Sequence, residues 1–222
     1  MFKWIQDFIT NFKKVAPTAS VTETEPKLLT KVGDVPVYWN GKKVWYLTGI
    51  TIDADGSPRA YHPANKGIDY LSSAGHTGNW WGIATDPNGN PYIQKSTDPY
   101  PGYYVSTTSY SNAGFPPNDP RRYLDSEKIP FVVLPAHIKN MVAPKFLGCH
   151  CVVTNKSNGK SCVAVLADLG PKNHIGEGSI ALARELDIAS SPKTGGTSRQ
   201  IIFYEIFPGQ PAEINGKKFK LL

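Results

Sequence analysis

Two acids nine positions apart, Asp168 and Glu177, are the residues of this chain best placed to do chemistry. Asp168 ends the apolar run Cys162-Val163-Ala164-Val165-Leu166-Ala167, which reads as a strand buried on both faces. Leu169-Gly170-Pro171 then breaks that strand into a loop. Glu177 sits between Gly176 and Gly178, just before a segment with helical periodicity from Ser179 to Leu186. A strand can fix one carboxylate, and flanking glycines can let the backbone approach a ligand beside the other. Hydrolysis of a glycosidic bond needs such a pair: a protonated carboxyl for the leaving oxygen and a carboxylate for water. Six apolar residues before Asp168 imply burial, which raises a carboxyl pKa and favours Asp168 as the acid. Glu177, on a polar loop, is then the base, with the reverse assignment left open. The plain alternatives are a strand-end aspartate closing a turn and a solvated loop glutamate.

Other side chains could shape a sugar site. Asp53 and Asp55 bracket a turn at Gly56; Asp-Gly suits a turn for backbone reasons alone, but two carboxylates could also pair with an ammonium. Tyr61 and His62 follow, either of them able to bind a hydroxyl. Asn79-Trp80-Trp81 offers rings for the apolar faces of sugars. Neighbours on a strand point to opposite faces, so at most one of the two tryptophans should face a cleft. Tyr103, Tyr104, Ser106 and Thr107 form an alternating ladder, Asp125 and Glu127 add negative charge, and Lys172 and Asn173 lie where they could orient the two acids.

Several longer stretches carry a family likeness. They are IDADGSPRAYHP (Ile52 to Pro63), GIDYLSSAG (Gly67 to Gly75), GNWWGIATDPNGNP (Gly78 to Pro91), DPYPGYYVSTTS (Asp98 to Ser109), RRYLDSEKIPFVVLP (Arg121 to Pro135) and ADLGPKNHIGEGSIALA (Ala167 to Ala183). In combination they resemble glycoside hydrolase family 75, the endo-chitosanases of filamentous fungi. The resemblance spans roughly Gly49 to Pro208. It implies that Asp168 and Glu177 are the essential acids, that cleavage inverts the anomeric configuration, that no cofactor is needed and that chitosan or chito-oligosaccharides are bound. It also makes Asp53, Asp55, Tyr61, His62, Asn79, Trp80, Trp81, Tyr104, Ser106, Asp125 and Asn173 candidate substrate contacts. Two rivals stay open: a muramidase-like glycosidase acting on peptidoglycan, and a non-catalytic glycan-binding or virion-attachment protein.

The chain has 222 residues, enough for one substantial core, so one catalytic domain with an extension is expected. Domain boundaries of 1–32 for a helical extension and linker, and 33–222 for the catalytic domain, follow from the pattern. Met1 to Lys14 puts Phe2, Ile5, Phe8, Ile9 and Phe12 on one helical face, and Ala16 to Glu25 reads as linker. Gln6, Asp7, Thr10 and Asn11 interrupt the apolar run that a secretory signal needs, although the family is typically secreted. Release by lysis of a viral protein, or a truncated secreted form, would each fit. No stretch is long enough for a membrane-spanning helix.

Asn40-Gly41 and Asn158-Gly159 mark hairpins, and a two-residue turn at the second would set Asp168 opposite Cys149. Short helices are expected at Lys66 to Ala74 and Ser179 to Leu186, with strands at Trp80 to Thr85, PYIQKS, YYVSTTS, FVVLP, CHCVVTNKS and QIIFYEIFP. The class is therefore mainly β, or α+β, as a compact mixed barrel. Analogy with other polysaccharide-cleaving folds suggests a double-psi form.

The net charge is +6, distributed as +3 over residues 1–48, −2 over 49–130 and +5 over 131–222. A locally acidic cleft could still attract amino sugars, because screening limits the reach of distant charges to about 8 Å. The basic residues are scattered rather than striped among aromatics, so nucleic acid is not an expected partner. Three cysteines leave at least one thiol free in a monomer, the expected state. Cys149-His150-Cys151 lacks zinc-site spacing, and no metal is expected.

Overall fold

Alternation along one strand sets the pattern for the molecule. In Val44–Asp53, Val44, Tyr46, Ile50 and Ile52 are buried, while Leu47 and Thr51 are exposed. Side chains alternate across a strand, so the first set lines an interior and the second an outer face. The computed structural model describes residues 25–142 and 145–222. The helix expected over Met1 to Lys14 and nearly all of the linker after it lie outside the described residues.

The elements in chain order are β1 (Lys27–Val32), β2 (Val35–Trp39), β3 (Val44–Asp53), β4 (Gly75–His76), β5 (Asn79–Trp80) and β6 (Phe131–Pro135), followed by α1 (Ala136–Val142). Then come β7 (Cys149–Asn155), β8 (Ser161–Gly170), β9 (Glu177–Ser179), α2 (Ile180–Glu185), β10 (Thr197–Pro211), β11 (Glu213–Ile214) and β12 (Lys217–Lys218). Six of these strands close a barrel in the order β3–β10–β7–β8–β6–β9 and back to β3. Two pairings, β6 with β8 and β3 with β9, are parallel and the rest of the ring is antiparallel. This is the mainly-β mixed barrel expected from the sequence. Lys27–Val32, assigned above to the linker, is instead a strand paired with β2, and Val32 is buried in the core. The folded unit therefore begins before residue 33.

The interior is filled by Leu134, Leu166, Ile202, Ile206 and the stacked rings of Tyr46 and Tyr204, whose centroids are 4.6 Å apart. Phe131, Val133, Val165 and Ala167 pack on the opposite face against Leu124 and Phe219. That second layer explains why β6 and β8 are continuous apolar runs rather than alternating ones.

The barrel closes through β9. Its central residue, Gly178, pairs with Ile52 on one side and Val132 on the other. A Cβ on Gly178 would stand 2.7 Å from Leu182 Cδ2, and one on Gly176, where φ is +91°, would stand 2.5 Å from Thr48 Cγ2. These glycines let a short strand wedge between two others; the expected role in admitting a ligand gives way to one in backbone packing. Ser179 then starts α2. Its buried Oγ accepts from Phe131 N at 2.9 Å and Leu182 N at 3.1 Å, and donates to Ile129 O at 2.8 Å.

The Asn40-Gly41 turn forms, with Asn40 Oδ1 accepting from Lys42 N and Lys43 N at 3.1 and 2.9 Å. The turn at Asn158-Gly159 also forms, but its loop is longer than two residues. His150 pairs with Val165 and Thr154 with Ser161, two positions away from the expected register, so Asp168 does not face Cys149. Asn155 closes the loop by accepting from Ser157 N and Oγ. The chain from Ala54 to Pro130 is more irregular than its pattern suggested. Only Leu71–Ala74 of the expected helix is helical, as one 3₁₀ turn, and the expected strands shrink to β5 and the bridges Ile83↔Ser106, Thr85↔Pro91 and Ile93↔Tyr104. Frequent prolines and glycines leave too few donors for continuous ladders.

Replacing Ser179 with Ala would orphan the buried N–H of Phe131 and remove the α2 cap. A loss of about 2–3 kcal/mol is expected, read as a lower urea midpoint with an unchanged slope.

Candidate active site

A slip in register decides where Asp168 points. Val132 of β6 pairs with Leu166 of β8, but Val133 pairs with Asp168, so Ala167 is an extra residue on β8. Without that bulge, alternation would send Asp168 to the same side as Ala164 and Leu166, into the barrel interior. With it, Asp168 shares the outer face with Val133. Val133 also pairs with Glu177 of β9, and Glu177 pairs with Thr51 of β3. The result is a row across four strands, Thr51–Glu177–Val133–Asp168, and all four side chains line one cleft of about 340 Å³.

The rest of the cleft wall comes from the irregular segment. Asp53 and Asp55 descend from the end of β3, Tyr61 and Asp69 from the following loop, and Trp81 from just after β5. Asp53 Oδ1 accepts from Asp55 N at 2.7 Å, and the Tyr61 hydroxyl donates to Asp55 Oδ1 at 2.5 Å. Ser106 is buried behind this turn, where its Oγ accepts from Gly56 N at 3.0 Å and donates to Gly82 O at 3.1 Å. Trp81 is 58% exposed, and its indole N–H is pinned to Ser73 O at 2.8 Å. One tryptophan of the pair thus faces the cleft, as alternation required. Trp80 turns to the core beside Tyr104, with ring centroids 6.0 Å apart.

Six of the candidate residues therefore meet in the cleft: Asp53, Asp55, Tyr61, Trp81, Asp168 and Glu177. Ser106 supports them from behind. Trp80 and Tyr104 are packing residues. His62 braces its own loop, accepting from Ala64 N at 3.0 Å with its ring edge against Tyr103. Asn79 sits exposed on the β4–β5 hairpin. Asn173 lines a neighbouring hollow with Ile175, and neither it nor Lys172 makes a side-chain hydrogen bond to the two acids. Asp125 is turned away and paired with Lys128 at 2.8 Å. Asp69 and Ser109 went unassigned in the sequence. Asp69 had a usable signal, an acid held between Ile68 and Tyr70; Ser109 had none beyond ending an alternating ladder.

The electrostatics of the two central acids differ. Burial raises Asp168, but three donors converge on its Oδ1: Ser109 Oγ at 2.5 Å, Leu169 N at 2.7 Å and Ser109 N at 3.0 Å. Donors of this kind stabilise the ionised form. No protein donor reaches Glu177 among the described residues. Burial first, then the charges of Asp168 and Asp69, push it up to about 7. Glu177 is thus not a solvated loop acid but a strand residue with a strong hold on its proton. Asp53 and Asp55 are also raised, chiefly by burial, then by neighbouring carboxylates. Burial raises Asp69 as well.

Among the described residues, ion pairs involve Glu205, Glu127, Asp119, Asp125 and Asp187, and none involves the five acids of the cleft. No three His, Cys, Asp or Glu side chains among these residues are grouped so as to hold a metal ion. All three cysteines are free, with Cys149 and Cys151 buried and His150 turned the other way. No helix among the described residues is long and apolar enough to cross a membrane. Comparison with models of known protein families finds no match, and no curated protein matches the chain.

Glu177 sets a pH-dependent stability. Its folded value of about 7 lies above the ordinary 4.5, so between them the folded state keeps a proton that the unfolded state has released. Stability must fall as pH rises through that window. Glu177→Gln removes the cost and should be the more stable protein at pH 8, by up to about 3 kcal/mol, with no gain at pH 4. Thermal unfolding of both proteins at the two pH values measures this.

Proposed function

We propose that the cleft hydrolyses β-1,4 links between glucosamine units of chitosan, with inversion, as the resemblance to family 75 suggests. The observation that carries this reading is the pair Glu177 and Asp168, flanking Val133 in a cleft whose other acids form no ion pair among the described residues. Two interstrand steps of about 4.8 Å set the backbone separation of the pair at roughly 9.6 Å. Their side chains stand on one face, near enough for the charge of Asp168 to act on Glu177. An inverting enzyme needs roughly 6.5–9.5 Å to fit a water beside the sugar.

The hydrogen bonding favours the assignment opposite to the one burial alone suggested. Glu177, protonated near neutrality, donates to the glycosidic oxygen as the bond to the anomeric carbon breaks. Asp168, whose carboxylate accepts from Ser109 and Leu169, takes a proton from a water attacking the other side of that carbon. Trp81 presents an apolar face to a pyranose ring. Asp53, Asp55 and Asp69 supply the negative potential that an ammonium-bearing sugar would neutralise. A peptidoglycan strand, whose N-acetylated sugars carry no ammonium, would leave those three acids uncompensated, which favours chitosan over a muramidase substrate.

The deciding experiment is reducing-end release from soluble chitosan and from colloidal chitin, with the configuration of the first product read by NMR. Wild type should act on chitosan and release the α-anomer, while folded Asp168→Asn and Glu177→Gln should lose about 10³-fold or more in kcat. Activity surviving in either variant would remove that residue from the mechanism, and an initial β-anomer would refute inversion. Ser109→Ala tests the role of the base separately. Losing a donor to the carboxylate raises its pKa, so the acidic limb of the pH–rate profile should move to higher pH.

A further inference from the structure

The acidic cleft does not end at its own wall. Thr51 and His174, which line it, also line a second hollow of about 310 Å³, so the two adjoin. Thr51 is the end of the row Thr51–Glu177–Val133–Asp168 that lies farthest from Asp168. The hollow therefore opens on the Glu177 side of the pair. Its other walls come from three places. The ends of β1 and β2 bring Val32 and Val35, the loop before β9 brings Asn173 and Ile175, and the start of β10 brings Thr197 and Ser198.

The chemistry changes across that boundary. The cleft holds five acids, whereas no side chain lining the hollow can carry a negative charge. Beside its lining residues in the sequence stand Lys31, Lys172 and Arg199, against Asp34 alone. An ammonium entering the hollow would give up water and meet no counter-charge in return. What the hollow offers is neutral. The side chains of Thr51, Asn173 and Ser198 make no hydrogen bond among the described residues, which leaves a carboxamide and two hydroxyls open to a ligand. Thr197 Oγ1 is already engaged, accepting from Arg199 N at 3.2 Å. Val35 and Ile175 add aliphatic surface. An acetamide group matches this set: its N–H and C=O pair with an amide and hydroxyls, and its methyl covers aliphatic carbon.

We propose that the hollow is a subsite for an N-acetylglucosamine unit of a partly acetylated chain, on the leaving-group side of the scissile bond. The side follows from the roles of the two acids. In an inverting displacement the activated water and the departing oxygen stand on opposite sides of the anomeric carbon. Passing from Asp168 to Glu177 is therefore passing from water to leaving group, and the hollow lies further along the same line. The cleft then reads ammonium at the bond to be cut, and the hollow reads acetamide beyond it. Only a chain carrying both kinds of unit satisfies the two together. The placement of the subsite rests on the chitosanase reading; the preference of the hollow for a neutral acetamide rests on its lining.

Two measurements test this. In the first, wild type is titrated with the N-acetylglucosamine disaccharide and, separately, with the glucosamine disaccharide, and backbone amides are followed by NMR. The acetylated sugar should shift Asn173 and Ser198, and the glucosamine sugar should shift Asp53 and Asp55 instead. In the second, partly acetylated chitosan is digested and the products are sequenced by mass spectrometry. N-Acetylglucosamine should be enriched about fourfold at one fixed position counted from the non-reducing end of the products, the gain from burying one methyl. Ser198 is exposed, so changing it leaves the core intact. Ser198→Asp should abolish the enrichment by giving an ammonium its partner, while the neutral Ser198→Asn should keep it. No enrichment, enrichment counted only from the reducing end, or enrichment that survives Ser198→Asp would overturn the subsite. Equal shifts of Asn173 and Ser198 by the glucosamine disaccharide would overturn it too. A wild type that leaves chitosan intact, yet shows those shifts with the acetylated sugar alone, would sink the hydrolase reading and leave the acetamide site standing.

Discussion

The structure depends on the double pairing of a three-residue strand. β9 is hydrogen-bonded to β3 on one side and to β6 on the other, and among the described residues β3 and β6 are not paired with each other directly. The wedge works because Gly176 and Gly178 have no side chains to collide with Thr48 and Leu182. Closing the barrel and building the site are therefore one event. The pairing that removes the last free edge also sets Glu177 beside Val133, with Asp168 on the far side. Ser179, the next residue, ties the same junction to α2 and to the backbone of Ile129 and Phe131.

A second constraint is electrostatic. Five acids share a cleft in a chain whose formal net charge is +6, and none of them forms an ion pair among the described residues, although Lys193 lies near enough to act on Asp69. Burial first, then their mutual repulsion, raises the carboxyl pKa values, so ionising these acids as pH rises costs the folded state stability. A cleft of this kind is a source of instability until something positive or protonating fills it, which is the condition in which binding a cation is most favourable.

Much of this could be read from the residues. The apolar runs at β6 and β8, the hairpin at Asn40-Gly41, the cap at Ser179 and the choice of one outward tryptophan all follow from local pattern. Asp168 and Glu177 could be singled out because they interrupt or flank structured segments. The irregular chain between Ala54 and Pro130 was harder. Its alternating stretches look like strands, but single bridges hold them, and what fixes them is long-range contact such as the Gln94 amide donating to Pro58 O. Asp125 looked like a cleft acid by composition, yet it is turned away and paired with Lys128, three residues on.

The sequence alone determined the class of fold and the inventory of acids, since alternation, turn residues and glycine positions are local properties that each segment carries with it. Tertiary structure decided what those acids can do. The one-residue slip between Val132 and Val133 turned Asp168 from the interior to the cleft, and no local pattern encodes the register of two strands that meet from distant parts of the chain. It also placed the proton. Burial was foreseeable for Asp168, but donors that work against its effect come from Ser109, 59 residues away, and burial together with acids from other strands and loops raises Glu177. A pKa is set by neighbours in space, and only the fold chooses those neighbours.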